Sequence, residues 1–173
     1  MWKNIYKTCF KTVKDNDIIW LQYRVLHRIL GTKDYLFKTN LTTDRNCSFC
    51  EHKSETVYHL FTGCEQVQLF WTNLKSFLHS KLRLQISIEG PNIIFGCLSN
   101  FWSSISINTI YLVAKSFIFQ TSRSNKGLNL DYFLSYLHRV YLEQEYIAKL
   151  ESNHEKFLKL WGDFYTVFAI QDL

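Results

Sequence analysis

The chain has 173 residues, 47% of them hydrophobic and 17% aromatic, with one proline, six glycines and a net charge of +5. This is the composition of a globular protein with a sizeable core, and its scarcity of Pro and Gly disfavours a many-turned β fold. Its most apolar stretch, Ile110 to Phe119, is interrupted by Lys115 and falls short of the ~18 apolar residues of a membrane span.

In chain order, Trp2, Ile5, Tyr6, Cys9, Phe10 and Val13 follow the spacing of one apolar helical face, with Lys3, Lys7, Lys11 and Lys14 on another. Asp15, Asn16 and Asp17 offer caps for a second helix, from about Ile18 to Leu30 and stopped near Gly31. Trp20, Arg24, His27 and Arg28 share a stripe on it. A short element at Asp34 to Lys38 and the polar loop TNLTTDRN lead to Cys47. Glu55 to Phe61 reads as a short helix ended by Gly63, and Glu65 to His79 as a longer one. Leu82 to Ile88 alternates apolar and polar residues, so it is a short strand or an extended linker. EGPN at 89–92 is the clearest turn and the best candidate boundary. Two long helices follow, about Ser104 to Ser122, with Ile107, Ile110, Ala114, Phe117 and Ile118 inward, and about Leu130 to Glu151. A last aromatic segment with Phe157, Leu160, Trp161 and Phe164 packs across them. The expected fold is mostly α: a helical module with a short CCHC zinc-binding knuckle inserted between helices. It divides into N-terminal amphipathic helices (1–40), the motif with its following helix (41–80), and a C-terminal helical bundle (90–173).

The strongest chemical signal is Cys47-x2-Cys50-x8-His59-x4-Cys64. Zinc takes four tetrahedral ligands, and thiolate and imidazole are its usual structural donors. A C-x2-C turn brings two thiolates to one ion, and the break at Gly63 lets Cys64 turn back toward it. Four protein ligands leave no open position for water, so the expected Zn2+ site is structural rather than hydrolytic. The alternatives are buried thiols with a surface histidine, or His52 in place of His59 as ligand. Cys9 and Cys97 sit among apolar residues and read as core. The opening MWKNIYKTCFK lacks the apolar core of a secretory signal, so an intracellular place, nucleus or cytoplasm, is expected.

No enzyme motif is legible: there is no glycine-rich phosphate loop, nucleophile elbow or HExxH pair. His27, His79, His138 and His154 lack a patterned nucleophile, and the expectation is a chain that is not an enzyme. Residues 1–38 hold eight basic and three acidic side chains, which accounts for the whole net charge. A local basic excess points to a phosphate-bearing partner. Lys3, Lys7, Lys11, Lys14, Arg24 and Arg28 are the candidate phosphate contacts, with Trp20 and the edge of Tyr23 as candidate stacking groups for unpaired bases. A solvated helix face is the plainer account of the same charges.

Trp20-Leu21-Gln22-Tyr23-Arg24-Val25-Leu26, Ile29-Leu30-Gly31-Thr32, Cys47-Ser48-Phe49-Cys50, and Glu55-Thr56-Val57-Tyr58-His59-Leu60-Phe61 with Cys64 and Trp71 resemble one family. It is the zinc-binding segment at the C-terminal end of reverse transcriptases of LINE-type non-LTR retrotransposons. The resemblance is close over about residues 18–78. It is looser through Ala114-Lys115, Ile118 and Glu145-Tyr146-Ile147-Ala148 to Trp161. It implies Cys47, Cys50, His59 and Cys64 as metal ligands and a role in holding RNA or DNA beside a polymerase domain that this chain lacks. No polymerase motif with paired aspartates is present, so polymerase activity does not transfer. The expected function is a zinc-binding, weakly specific nucleic-acid-binding accessory module. The alternatives are a zinc-stabilised protein-interaction module and a non-functional retrotransposon relic.

Overall fold

A computed structural model describes residues 2–51, 53–97, 103–124 and 126–168, with the side chains of Trp2, Asn4, Thr8, Cys9, Ser103, Ser104, Thr166 and Val167 left aside. Helices dominate: α1 (Trp2–Thr12), α2 (Asn16–Leu26), α3 (Lys33–Lys38), α4 (Glu65–Leu82), α5 (Gly90–Phe95), α6 (Ser103–Ser122), α7 (Leu130–Leu150) and α8 (His154–Phe168). A π turn (His59–Gly63) precedes α4. No strand occurs among the described residues; one isolated antiparallel bridge pairs Asn46 with Ser54. The mostly α fold read from the sequence is therefore the fold observed. No helix among the described residues is long and apolar enough to cross a membrane.

Local chemistry explains several helix starts. Asp15 caps α2 by accepting the N–H groups of Asp17 (2.8 Å) and Ile18 (3.3 Å). Asn129 does the same for α7 through Asp131 (2.7 Å) and Tyr132 (3.3 Å). EGPN opens a helix and is not a turn. Pro91 sits in the first turn of α5, where its missing N–H costs nothing. Residues 83–89 are an extended linker without a strand partner. Ile86 is buried, and the Tyr111 hydroxyl donates to the Ser87 carbonyl at 2.6 Å.

Helix ends are less legible. α2 stops at Leu26, earlier than expected, because Arg28 adopts a left-handed backbone (φ 59°) and Ile29 N–H closes onto the Arg24 carbonyl at 3.0 Å. α4 ends in a closure one residue wider, with Arg83 at φ 54° and Leu84 N–H on the Leu78 carbonyl at 3.2 Å. The first is a Schellman closure, and at both ends glycine is the usual left-handed residue. A left-handed L-residue costs about 1–2 kcal/mol, part of which glycine forfeits through its freer unfolded chain. Arg83→Gly is thus expected to stabilise the protein by about 0.5–1 kcal/mol. For a chain this size that raises the melting midpoint by roughly 1–4 °C. A lower midpoint in a thermal scan would mean that the Arg83 side chain contributes more than its backbone costs.

The buried cluster runs from Val13 to Phe168 and draws on all three segments of the chain. At its centre lies α6, on which α1, α2, α7, α8 and the π turn all pack. The expected inward residues Ile107, Ile110, Ala114, Phe117 and Ile118 are buried, but so is every other residue from 106 to 118. Polar side chains tolerate this because each finds partners. Ser106 donates to Asp163 (3.1 Å), Asn108 holds the backbone of Cys97 (2.7 and 3.0 Å), and Ser116 meets the Tyr136 hydroxyl (2.9 Å). Lys115 is only 1% exposed. Its ammonium donates to the Gln22 side chain and, at 3.1 Å, to the Ile94 carbonyl, tying α6 to α2 and α5.

On α1 the apolar face is narrower than expected. At 100° per residue, Ile5, Thr12 and Val13 share the buried arc, while Phe10 falls beside the lysines and is 63% exposed. Phe157, Trp161 and Phe164 of α8 are buried as expected, and Leu160 is half-buried.

Candidate metal centre

The chain between α3 and α4 has little regular structure to hold it. Cys47 N–H bonds the Lys53 carbonyl (2.7 Å), Glu55 N–H the Arg45 carbonyl (2.8 Å), and Glu51 N–H the Cys47 carbonyl (2.9 Å). These bonds fold residues 45–55 into a small knuckle with the Cys47–Cys50 turn at its tip. The backbone becomes helical at Val57 and widens into the π turn, in which Cys64 N–H bonds the His59 carbonyl at 2.9 Å. The expected short helix from Glu55 to Phe61 is therefore shorter and wider than the periodicity suggested. The π turn diverts two carbonyls from helical bonding. Trp71 Nε1 takes that of Phe61 (2.9 Å) and Gln68 Nε2 that of Thr62 (3.1 Å), so α4 clamps the turn.

This folding brings Cys47, Cys50, His59 and Cys64 together, their donor atoms all within 4.8 Å of one another. Cys50 Sγ lies 3.3 Å from His59 Nε2. Tetrahedral zinc ligands at ~2.0–2.3 Å from the ion stand roughly 3.5–4 Å apart, so a slight contraction suffices. Cys47 and Cys64 are wholly buried and His59 nearly so. Backbone N–H groups of Phe49 and Cys50 point at the Cys47 sulfur, and those of Gln66 and Val67, in the first turn of α4, at the Cys64 sulfur. Such donors suit thiolates. The Cys47–Cys64 hydrogen bond and then these N–H groups hold the Cys64 thiol below its ordinary value, while the same bond and burial push Cys47 up. Three sulfurs and one imidazole nitrogen are a donor set for Zn2+ with no open position. Imidazole Nε2 faces the cluster, so the neutral ring would carry its proton on Nδ1.

The rival ligand His52 lies outside the described residues, as does the Cys9 side chain. Cys97 is half-buried against the core.

Two groups around the cluster are absent from the sequence reading. The Glu55 carboxylate is 0% exposed. It accepts from Ser48 N–H (3.0 Å) and Oγ (2.7 Å), from Lys33 N–H (3.0 Å) and from the Arg123 guanidinium (3.0 Å). In the sequence Glu55 is one more helical carboxylate, and Arg123 belongs to a polar loop; no local pattern pairs them.

Of the candidate nucleic-acid contacts, Lys3, Lys7, Lys11, Lys14, Trp20, Arg24 and Arg28 are all exposed. None contributes an atom to the cysteine–histidine cluster. Lys14 is engaged in an ion pair with Glu151 (3.1 Å). Trp20, 55% exposed, meets Tyr23 edge-on with ring centroids 5.4 Å apart. Tyr23 lies 4.2 Å from His27, which in turn lies 5.6 Å from Tyr6 of α1. Tyr6 and His27 thus continue this row of rings to the lysine-bearing helix.

The model of a protein family described as zinc-binding in reverse transcriptase matches residues 1–71. No curated protein and no solved structure matches the chain. The matched segment ends at Trp71 and includes all four ligands. The match and the cluster coincide: the residues that could hold a metal ion lie within the segment similar to that family.

Proposed function

We propose that the chain is a non-enzymatic accessory module of a LINE-type retroelement, acting in the nucleus or cytoplasm, that holds single-stranded or structured RNA or DNA with little sequence preference. The observation that carries this reading is the row of rings Trp20–Tyr23–His27, all exposed, continued by the half-buried Tyr6 and flanked by Lys3, Lys7, Lys11 and Arg24. Aromatic faces stack on bases of any identity, and neighbouring cations neutralise the backbone. The metal fixes the fold and takes no part in chemistry.

The salt dependence of binding tests this. Each neutralised phosphate adds about 0.7–0.9 to the logarithmic salt slope, so four to six contacts give roughly −3 to −5. Changing Lys3, Lys7, Lys11 and Lys14 to Gln is expected to flatten that slope without unfolding the chain, since exposed lysines add little stability. Lys14 is expected to contribute least, because Glu151 already pairs with it. Trp20→Ala is expected to weaken binding by about 1–3 kcal/mol if a base stacks there. Filter-binding titrations that retain no labelled RNA or DNA at low salt, or that ignore the quadruple change, defeat the proposal.

A second reading, docking onto a polymerase domain or another protein, is favoured by a different feature. A mainly apolar cleft of about 520 Å³ opens between α2, α3, the Thr56–Tyr58 segment and α5. Apolar docking would show little of the steep salt dependence expected above.

A further inference from the structure

We propose that Arg123, at the end of α6 and outside the matched segment, is a positioning residue of the metal site and acts through Glu55. The contacts form an unbroken chain. Arg123 donates to Glu55 Oε1 (3.0 Å) and to the Gly31 carbonyl (2.7 Å), and its guanidinium lies over the Phe119 ring (5.0 Å). Glu55 Oε1 also accepts Lys33 N–H, while Oε2 accepts both the N–H and the hydroxyl of Ser48. Ser48 is the first residue inside the Cys47–Cys50 turn. The next two N–H groups, those of Phe49 and Cys50, are the ones directed at the Cys47 sulfur. Orienting the Ser48 peptide therefore orients the donors that hold a thiolate.

A wholly buried carboxylate keeps its charge and its geometry only when a cation and hydrogen bonds offset its lost hydration. Arg123 provides the guanidinium in that role, from a helix anchored in the core. Groups that orient metal ligands from behind typically change metal affinity 10–100-fold when removed. The knuckle makes few backbone bonds of its own, so it depends on such outside support. The metal site is thus completed by the C-terminal half of the chain.

The test uses the full chain and zinc alone, with affinity measured by competition against a chromophoric chelator. The inference rests on the zinc assignment, whose own failure would show first as no zinc in the unaltered protein. Arg123→Met is expected to bind zinc 10–100-fold more weakly. Its cobalt-substituted form should keep the visible bands of a tetrahedral thiolate site, since all four ligands remain. Arg123→Lys, which restores a cation, should recover part of the loss. Ile110→Val, a core trim on the same helix, should leave affinity unchanged and so separate positioning from general weakening. Wild-type affinity in Arg123→Met overturns the proposal. So does a loss that Lys does not relieve and Ile110→Val reproduces. If Arg123→Met does not fold, Ser48→Ala removes only the hydroxyl contact to Glu55 and should bind zinc several-fold more weakly; unchanged affinity there overturns it equally.

Discussion

Cys50→Ser is expected to abolish zinc binding and unfold residues 44–66 while the surrounding helices persist. Apparent binding energies of structural zinc are about 10–16 kcal/mol at neutral pH, and they are folding energies wherever the apo site lacks other support. The knuckle is such a place: among the described residues of 45–55 its backbone makes three internal bonds and one bridge, Asn46–Ser54. Without the ion, buried thiols at Cys47 and Cys64 and the imidazole of His59 crowd together with no charge to hold them. The helices α4 and α6–α8 bury a continuous core of their own and should keep their far-ultraviolet signature. Plasma emission spectrometry should find one zinc per chain in the parent protein and none in the variant. Hydrogen exchange should show protection lost across 44–66 alone. A full zinc equivalent in Cys50→Ser would falsify the ligand assignment. The parent should also release zinc as pH falls, because protons compete for the same thiolates and imidazole.

Trp71→Ala is expected to have the largest effect of any core change. Trp71 is among the largest wholly buried side chains, donates to the Phe61 carbonyl of the π turn, and meets the Tyr111 ring of α6 edge-on at 6.0 Å. It joins the turn that carries His59 to the central helix. Truncating a buried Trp costs about 3–5 kcal/mol through lost transfer energy and the cavity left behind. In a chain of this length that lowers the melting midpoint by roughly 6–20 °C. Trp71→Phe keeps most of the volume but orphans the Phe61 carbonyl, so its cost should be nearer about 1–3 kcal/mol. Thermal or denaturant unfolding of zinc-loaded protein checks both. Equal losses in the two variants would show that the hydrogen bond, not the ring, carries the coupling.

The fold and the clustering of the four candidate ligands were legible because both rest on short-range order. Four candidate ligands within eighteen residues can meet with little help from the rest of the chain, so the spacing that singles them out also brings them together. Helix periodicity is equally local, and the start of α2 and the burial of α8 follow from it. The family described as zinc-binding in reverse transcriptase matches over residues 1–71, which include these four residues.

Other features depend on what surrounds a segment, which no periodicity reports. α6 reads as one-sided but is buried all round because five elements converge on it. Lys115 therefore looks like an interruption in an apolar run and proves to be a buried donor between α2 and α5. The ends of α2 and α4 escaped notice because arginines occupy positions where glycine would have signalled a stop. EGPN looked like a turn because a proline that begins a helix carries the same letters as one that ends it. The sequence by itself determined the chemistry of the site, since coordination needs particular side chains at close spacing. Only the tertiary structure decided what supports it, because the Arg123–Glu55–Ser48 chain and the Trp71–Phe61 clamp join residues whose meeting depends on how the helices pack.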